Sequence, residues 1–254
     1  SSDLKNNCIP GGDTNCSEAN TAMFMAGGMI SKDVPHVIAA LSRAIAASRT
    51  LVAYECGATG PTKDCAYEDP IIKAMSGVPI STEGKISACA HSDLASNIIM
   101  AVCDLWSNEA VEYHDMFGAT TTSVFAEMLG YDCAMLNTSL ELGYQEQMKE
   151  ILVNSDMYRD SHSLILAPDN AWEIGNAIIN NRGSNYESAK AGAIKSGEII
   201  LADAQMKLTA LEKSALDKAM KDLEALPADE GTFIDQCLAK YKNVKGFDPS
   251  SYGL

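Results

Sequence analysis

Arginine is scarce in this chain: it occurs only at positions 43, 49, 159 and 182, and the formal net charge is −15. No basic stripe exists to neutralise phosphates, which excludes nucleic acid as a partner class. Long apolar runs are missing as well. TAMFMAGGMI and SNIIMAVC stay far below the roughly 18–20 residues of a spanning helix, and the polar start SSDLKNN carries no hydrophobic signal core. We read the chain as soluble and cytoplasmic, with no membrane partner. The spacing C-x2-C is also absent. That removes the local knuckle from which structural zinc sites are built.

What is present is enough for a core. With 254 residues and 46% apolar content, the chain can bury one core, or a core with an appended subdomain. Its eight cysteines, at 8, 16, 56, 65, 89, 103, 133 and 237, are irregularly spaced, and a domain of this size needs no disulfide staples. Cys103 and Cys133 sit in apolar helical patterns (IIMAVCDLW and YDCAML) and read as core. Cys8, Cys16, Cys56, Cys65 and Cys89 lie instead beside Gly, Pro, Asp or His. The first four form two pairs, Cys8-x7-Cys16 and Cys56-x8-Cys65, each bracketing a Gly-rich turn. One thiolate from each loop meeting above a sheet would make an open catalytic metal site, whereas free loop thiols and an intra-pair disulfide are the other readings.

The order of elements suggests α/β structure. NCIPGGD, TLVAYE (50–55) and GVPIS read as short strands. Helices are expected from Ser17, over Pro35–Ala47, near Pro70–Met75 and through SDLASNIIMAVCDLW. Alternation of this kind implies a parallel sheet with functional groups at the carboxyl ends of its strands. From about residue 119 the pattern is helical: Thr120–Leu142, Gln145–Ser155, Ser163–Asn181, Asn185–Ala204, Leu208–Leu226 and Asp229–Lys242. Ser184-Asn-Tyr-Glu187 and Thr209-Ala-Leu-Glu212 have capping-box form. We therefore divide the chain into an α/β part, 1–118, and a helical part, 119–254.

Five blocks in one order carry a resemblance: CIPGGDTNCSEANTAMFMAGG, LVAYECGATGPTKDCAYED, GVPISTEGK, ACAHSDLASN and VCDLWSNEAVEYH. Together they resemble the methanol:corrinoid methyltransferase family, in its methanol-activating, zinc-binding subunit. The resemblance implies a TIM (β/α)8 barrel with extra helices, and zinc held by one glutamate and two cysteines at the carboxyl end of the strands. By position the cysteines match Cys16 and Cys65, leaving Cys8 and Cys56 as neighbours. The family's glutamate lies upstream of both, and nothing between Ser1 and Cys8 matches it. This sequence is accordingly expected to be the C-terminal part of such a barrel followed by an all-helical region, and inactive on its own.

The implied activity is zinc-dependent transfer of the methyl group of methanol to the Co(I) corrinoid of a partner corrinoid protein. The resemblance also implies a homodimer of this subunit. Two thiolates and a carboxylate favour zinc over magnesium or calcium. Because that set carries net negative charge, a nearby acid or cation is expected to assist the leaving oxygen. Glu55, at the end of the TLVAYE run, Asp64 and His91 are the leading candidates. Asp13, Glu83 and Asp93 are further ones, and helix capping or Asx turns are their structural readings. A non-catalytic corrinoid-protein docking module or paralogue, or a relative using another methyl donor, is the competing function.

Overall fold

The structure, a computed structural model, describes residues 34–55, 68–77, 81–82, 84–85, 94–105 and 122–253. Helix α1 (His36–Glu55) runs without a break through Ala-rich sequence, and side chains on nearly all its faces are buried, including Val37, Ala40, Leu41, Ala44 and Ala47. The expected strand at 50–55 is therefore corrected. No Gly or Pro separates Ala47 from Glu55, so the helix propagates through the β-branched residues, whose weak strand preference yields to tertiary packing. Helix α2 (Asp69–Ser76) starts with Pro70 in its first turn and ends at Gly77, whose φ of 65° supplies the left-handed cap.

Strand β1 (Ser81–Thr82), helix α3 (Ser96–Val102) and strand β2 (Asp104–Leu105) follow. The strands pair in parallel, Ser81 opposite Asp104 and Thr82 opposite Leu105. The long helix expected over SDLASNIIMAVCDLW is thus shortened. The backbone turns extended at Cys103 (φ −100°, ψ 154°), and Asp104 is drawn into a 2.7 Å ion pair with Lys73. The amino end of α3 lacks a capping side chain of its own. Asp156 supplies it from a distant segment, its carboxylate accepting the backbone N–H of Asn97 at 2.7 Å. This strand pair is the parallel sheet seen among the described residues. NCIPGGD and residues 78–80 of GVPIS lie outside them, as does the expected helix from Ser17.

The remainder is helical: α4 (Thr122–Glu141), α5 (Gln145–Asp156), α6 (Ser161–Leu166), α7 (Pro168–Asn180), α8 (Asn185–Ala202), α9 (Ala210–Glu224) and α10 (Glu230–Tyr241). The single helix expected over 163–181 is two. Pro168 has no N–H to donate and forces Ala167 into an extended conformation (φ −56°, ψ 139°), so α6 stops there and α7 begins with proline. Of the two expected capping boxes, one closes fully and the other forms its Ser184 half. Ser184 accepts from the Glu187 N–H, and Thr209 and Glu212 close a reciprocal capping box.

One core joins both sides of residue 118. Ile71, Ile72, Ile98 and Ile99 pack with α1 and with Leu164, Ile165, Leu166, Ala171, Ile174, Ile178, Ile200 and Leu216. Helices α1, α2 and α3 therefore share one interior with the later helices. Cys103 is part of it, while Cys133 on α4 is only half-buried, which corrects its reading as core. Among the described residues no helix is long and apolar enough to cross a membrane.

Candidate functional site

Two groups of polar side chains stand out against this apolar interior. The first is fully buried and links α1, α2 and α6. Arg43 donates from Nε to His162 Nε2 at 3.1 Å and from Nη1 to Glu68 at 3.3 Å, while Thr50 donates to the other Glu68 oxygen at 2.6 Å. Burial and the Arg43 guanidinium hold the His162 imidazole down to about 3, against the opposing pull of Asp160. His162 is thus neutral at ordinary pH, and its Nδ1, the protonated nitrogen in this arrangement, finds no hydrogen-bond partner among the described residues.

Asp160 extends this cluster towards the surface. One carboxylate oxygen accepts the Ser163 N–H at 2.6 Å as the cap of α6, and the other meets His36 Nδ1 at 2.9 Å. Burial pushes the Asp160 carboxyl up, but the bond to His36, the neighbouring His162 and the Ser163 N–H outweigh it and hold the group below the usual carboxylate value. His36 and Asp160 line a cavity of about 750 Å³ together with Tyr158, Arg159, Lys207 and Glu212.

The second group lies just beyond the carboxyl end of β1. Gly84, at φ +88°, and Lys85 form the described part of that exit, and Asp132 of α4 reaches them from 47 positions further along. Lys85 donates its backbone N–H to Asp132 Oδ2 at 3.2 Å, and its Nζ lies 3.1 Å from Oδ1.

The residues singled out from sequence are distributed unevenly with respect to these groups. Cys16, Cys65, Asp64 and His91 lie outside the described residues, as do Cys8, Cys56, Asp13, Glu83 and Asp93. Glu55 is described, and it closes α1 rather than a strand. Its carboxylate is exposed and paired with Arg182 at 3.1 Å. Among the described residues no three His, Cys, Asp or Glu side chains come close enough to hold a metal ion. The Cys103 thiol is pushed up by burial and by Asp69 and Asp104, with Lys73 opposing, so it remains protonated and inert.

Sequence reasoning missed Arg43, Glu68 and Asp132. Arg43 did leave a signal, as the single charge inside the apolar run HVIAALSRAIAA. Asp132 left none, because its partner is 47 residues away.

Comparison with known proteins agrees with the resemblance. The family described as methanol-cobalamin methyltransferase B subunit matches residues 3–253. The methanol–corrinoid protein co-methyltransferase of Methanosarcina barkeri (strain Fusaro / DSM 804) is 48% identical over 253 residues, which is 98% of this chain and 55% of that protein. The chain therefore spans about half the length of this curated relative. The crystal structure of the methanol:cobalamin methyltransferase complex from Methanosarcina barkeri matches with a TM-score of 0.87 at 48% identity, covering 99% of this chain and 55% of its own. On sequence and on fold, this chain belongs to the methanol-cobalamin methyltransferase B subunit family.

Proposed function

We propose that this chain forms part of a methyltransferase that moves the methyl group of methanol to the Co(I) corrinoid of a partner corrinoid protein. The observation that carries the reading is the 48% identity over 253 residues to a methanol–corrinoid protein co-methyltransferase. Such identity across nearly the whole chain, with a matching fold, far exceeds what a single motif supports.

Zinc belongs to this proposal on the chemistry of the donor set. Thiolates select zinc over the hard cations, and in this reading Cys16 and Cys65 provide two of them, with a glutamate as the third ligand. Bound zinc supplies Lewis acidity at the methanol oxygen. The task left to the protein is to orient methanol and to assist departure of its oxygen, for which Asp64 and His91 are the candidates. Glu55 is the weaker choice, since its carboxylate is engaged by Arg182 at the end of a helix. A closed (β/α)8 barrel, a homodimeric subunit and a cytoplasmic location belong to the same proposal.

The test uses the full polypeptide encoded by the reading frame that contains residues 1–254. Given methanol and a reduced corrinoid protein, it is expected to form methyl-cobalt, to lose that activity to a chelator and to regain it with zinc. A polypeptide that binds the corrinoid protein without methylating it would favour the docking-module reading.

A further inference from the structure

We propose that Asp132 is a positioning residue for the methyl-transfer site, fixing the path by which the chain leaves β1. The inference rests on the functional reading above and deepens it. Helix α4 turns one stripe inward, formed by buried Leu129 and Asp132 and half-buried Cys133 and Leu136, while Met128, Tyr131 and Met135 on its outer side are exposed. A carboxylate on an inward stripe is costly unless its oxygens find partners. Asp132 is only 4% exposed, and both of its oxygens address one residue, Lys85, through the backbone N–H at 3.2 Å and the ammonium at 3.1 Å.

An apolar side chain at position 132 could fill the same space, but it could not orient a backbone N–H and a side-chain head together. Two contacts to one residue fix both the direction of the turn and the conformer of Lys85, whose side chain remains 36% exposed and so keeps access to solvent. Gly84 completes the fit. A Cβ there would lie 3.0 Å from Asp132 Oδ2 and 3.5 Å from Leu129 Cδ1, and its φ of +88° already favours glycine. Helix and turn thus approach as closely as a residue without a side chain permits. Thr82, the last residue of β1, is buried and paired opposite Leu105, so Gly84 and the helical Lys85 are anchored within three residues of a fixed strand. In parallel sheets the segments leaving the carboxyl ends of strands carry the chemistry. Asp132 therefore acts where such a segment starts, through the turn and without touching substrate.

The test compares Asp132→Asn and Gly84→Ala with the parent, all as the full polypeptide. Four quantities are read: kcat and KM for methanol with reduced corrinoid protein, zinc content, melting temperature, and hydrogen exchange at the Lys85 amide. Displacement of the turn is expected to lower kcat about ten- to a hundredfold in both variants, with zinc content and KM held near the parent values. The Lys85 amide is expected to exchange faster in both. Gly84→Ala keeps the carboxylate, so it preserves the test if Asp132→Asn fails to fold. The proposal is overturned if kcat stays within about twofold of the parent, or if it falls only in step with zinc content or melting temperature. A parent without methanol-dependent methylation would sink the functional reading itself, whereas an active parent with unaffected variants sinks this inference alone.

Discussion

Arg43 and Glu68 form an ion pair at 3.3 Å in which both side chains are completely shielded from water. Two charges taken out of solvent are stabilised only when hydrogen bonds complete their shells. Here Thr50 donates to the second Glu68 oxygen and Arg43 Nε donates to His162. The cluster ties α6 and the start of α2 to the central helix α1.

Removing one partner should therefore be expensive. Arg43→Met is expected to destabilise the fold by about 3–5 kcal/mol, because it strands a buried carboxylate. The double variant Arg43→Met/Glu68→Leu should cost less than the sum of its two single changes. Urea unfolding midpoints check this, and additive costs would show that the two side chains do not act as a pair.

Acid should weaken the same cluster. The His162 imidazole is held down to about 3 in the fold, against about 6.5 in an unfolded chain. Between those values the unfolded chain binds a proton that the folded chain does not. Stability therefore falls as pH drops from about 6.5 towards 3, with a slope approaching about 1.4 kcal/mol per pH unit. Asp160, held below the usual carboxylate value, adds a loss in the same direction once pH passes below that value. His162→Gln removes the titrating ring and keeps an acceptor for Arg43, so its melting temperature is expected to depend less steeply on pH across this window. An unchanged slope would count against the assignment.

Gly192 sits where three helices meet. A Cβ there would lie 2.9 Å from Ile178 Cγ1 on α7 and 3.4 Å from the Ala44 carbonyl on α1. Gly192→Ala gains helix propensity but overpacks this contact, for an expected net loss of about 1–3 kcal/mol in chemical denaturation. A stabilised variant would show that α8 moves aside freely.

The cysteines should separate by function. In the full polypeptide, Cys16→Ser or Cys65→Ser is expected to remove most bound zinc, and Cys103→Ser to leave it, since the Cys103 thiol is buried and protonated. Metal analysis of the purified variants decides. Equal loss from Cys8→Ser or Cys56→Ser would exchange the members of the pairs.

Local chemistry was legible because it is written locally. The capping box at Thr209 and the Ser184 half of its counterpart follow from their spacing, since donor and acceptor lie three residues apart. The ends of α8, α9 and α10 fell within a few residues of expectation for the same reason. The α6–α7 break is written in the sequence as Pro168, although the apolar period continues on either side of it. The run at 50–55 has the composition of a strand, TLVAYE, and only its place as the last turns of α1 shows that the helix continues.

The sequence by itself determined the family and the pairs of thiols open to metal chemistry, because order and residue type suffice for these. Tertiary structure decided which charges are buried, and with what partners. Arg43 with Glu68, Asp156 with the amino end of α3, and Asp132 with Lys85 join residues 25, 59 and 47 positions apart. No periodicity records such pairings, since they arise only when packing brings distant segments together and withdraws water from them.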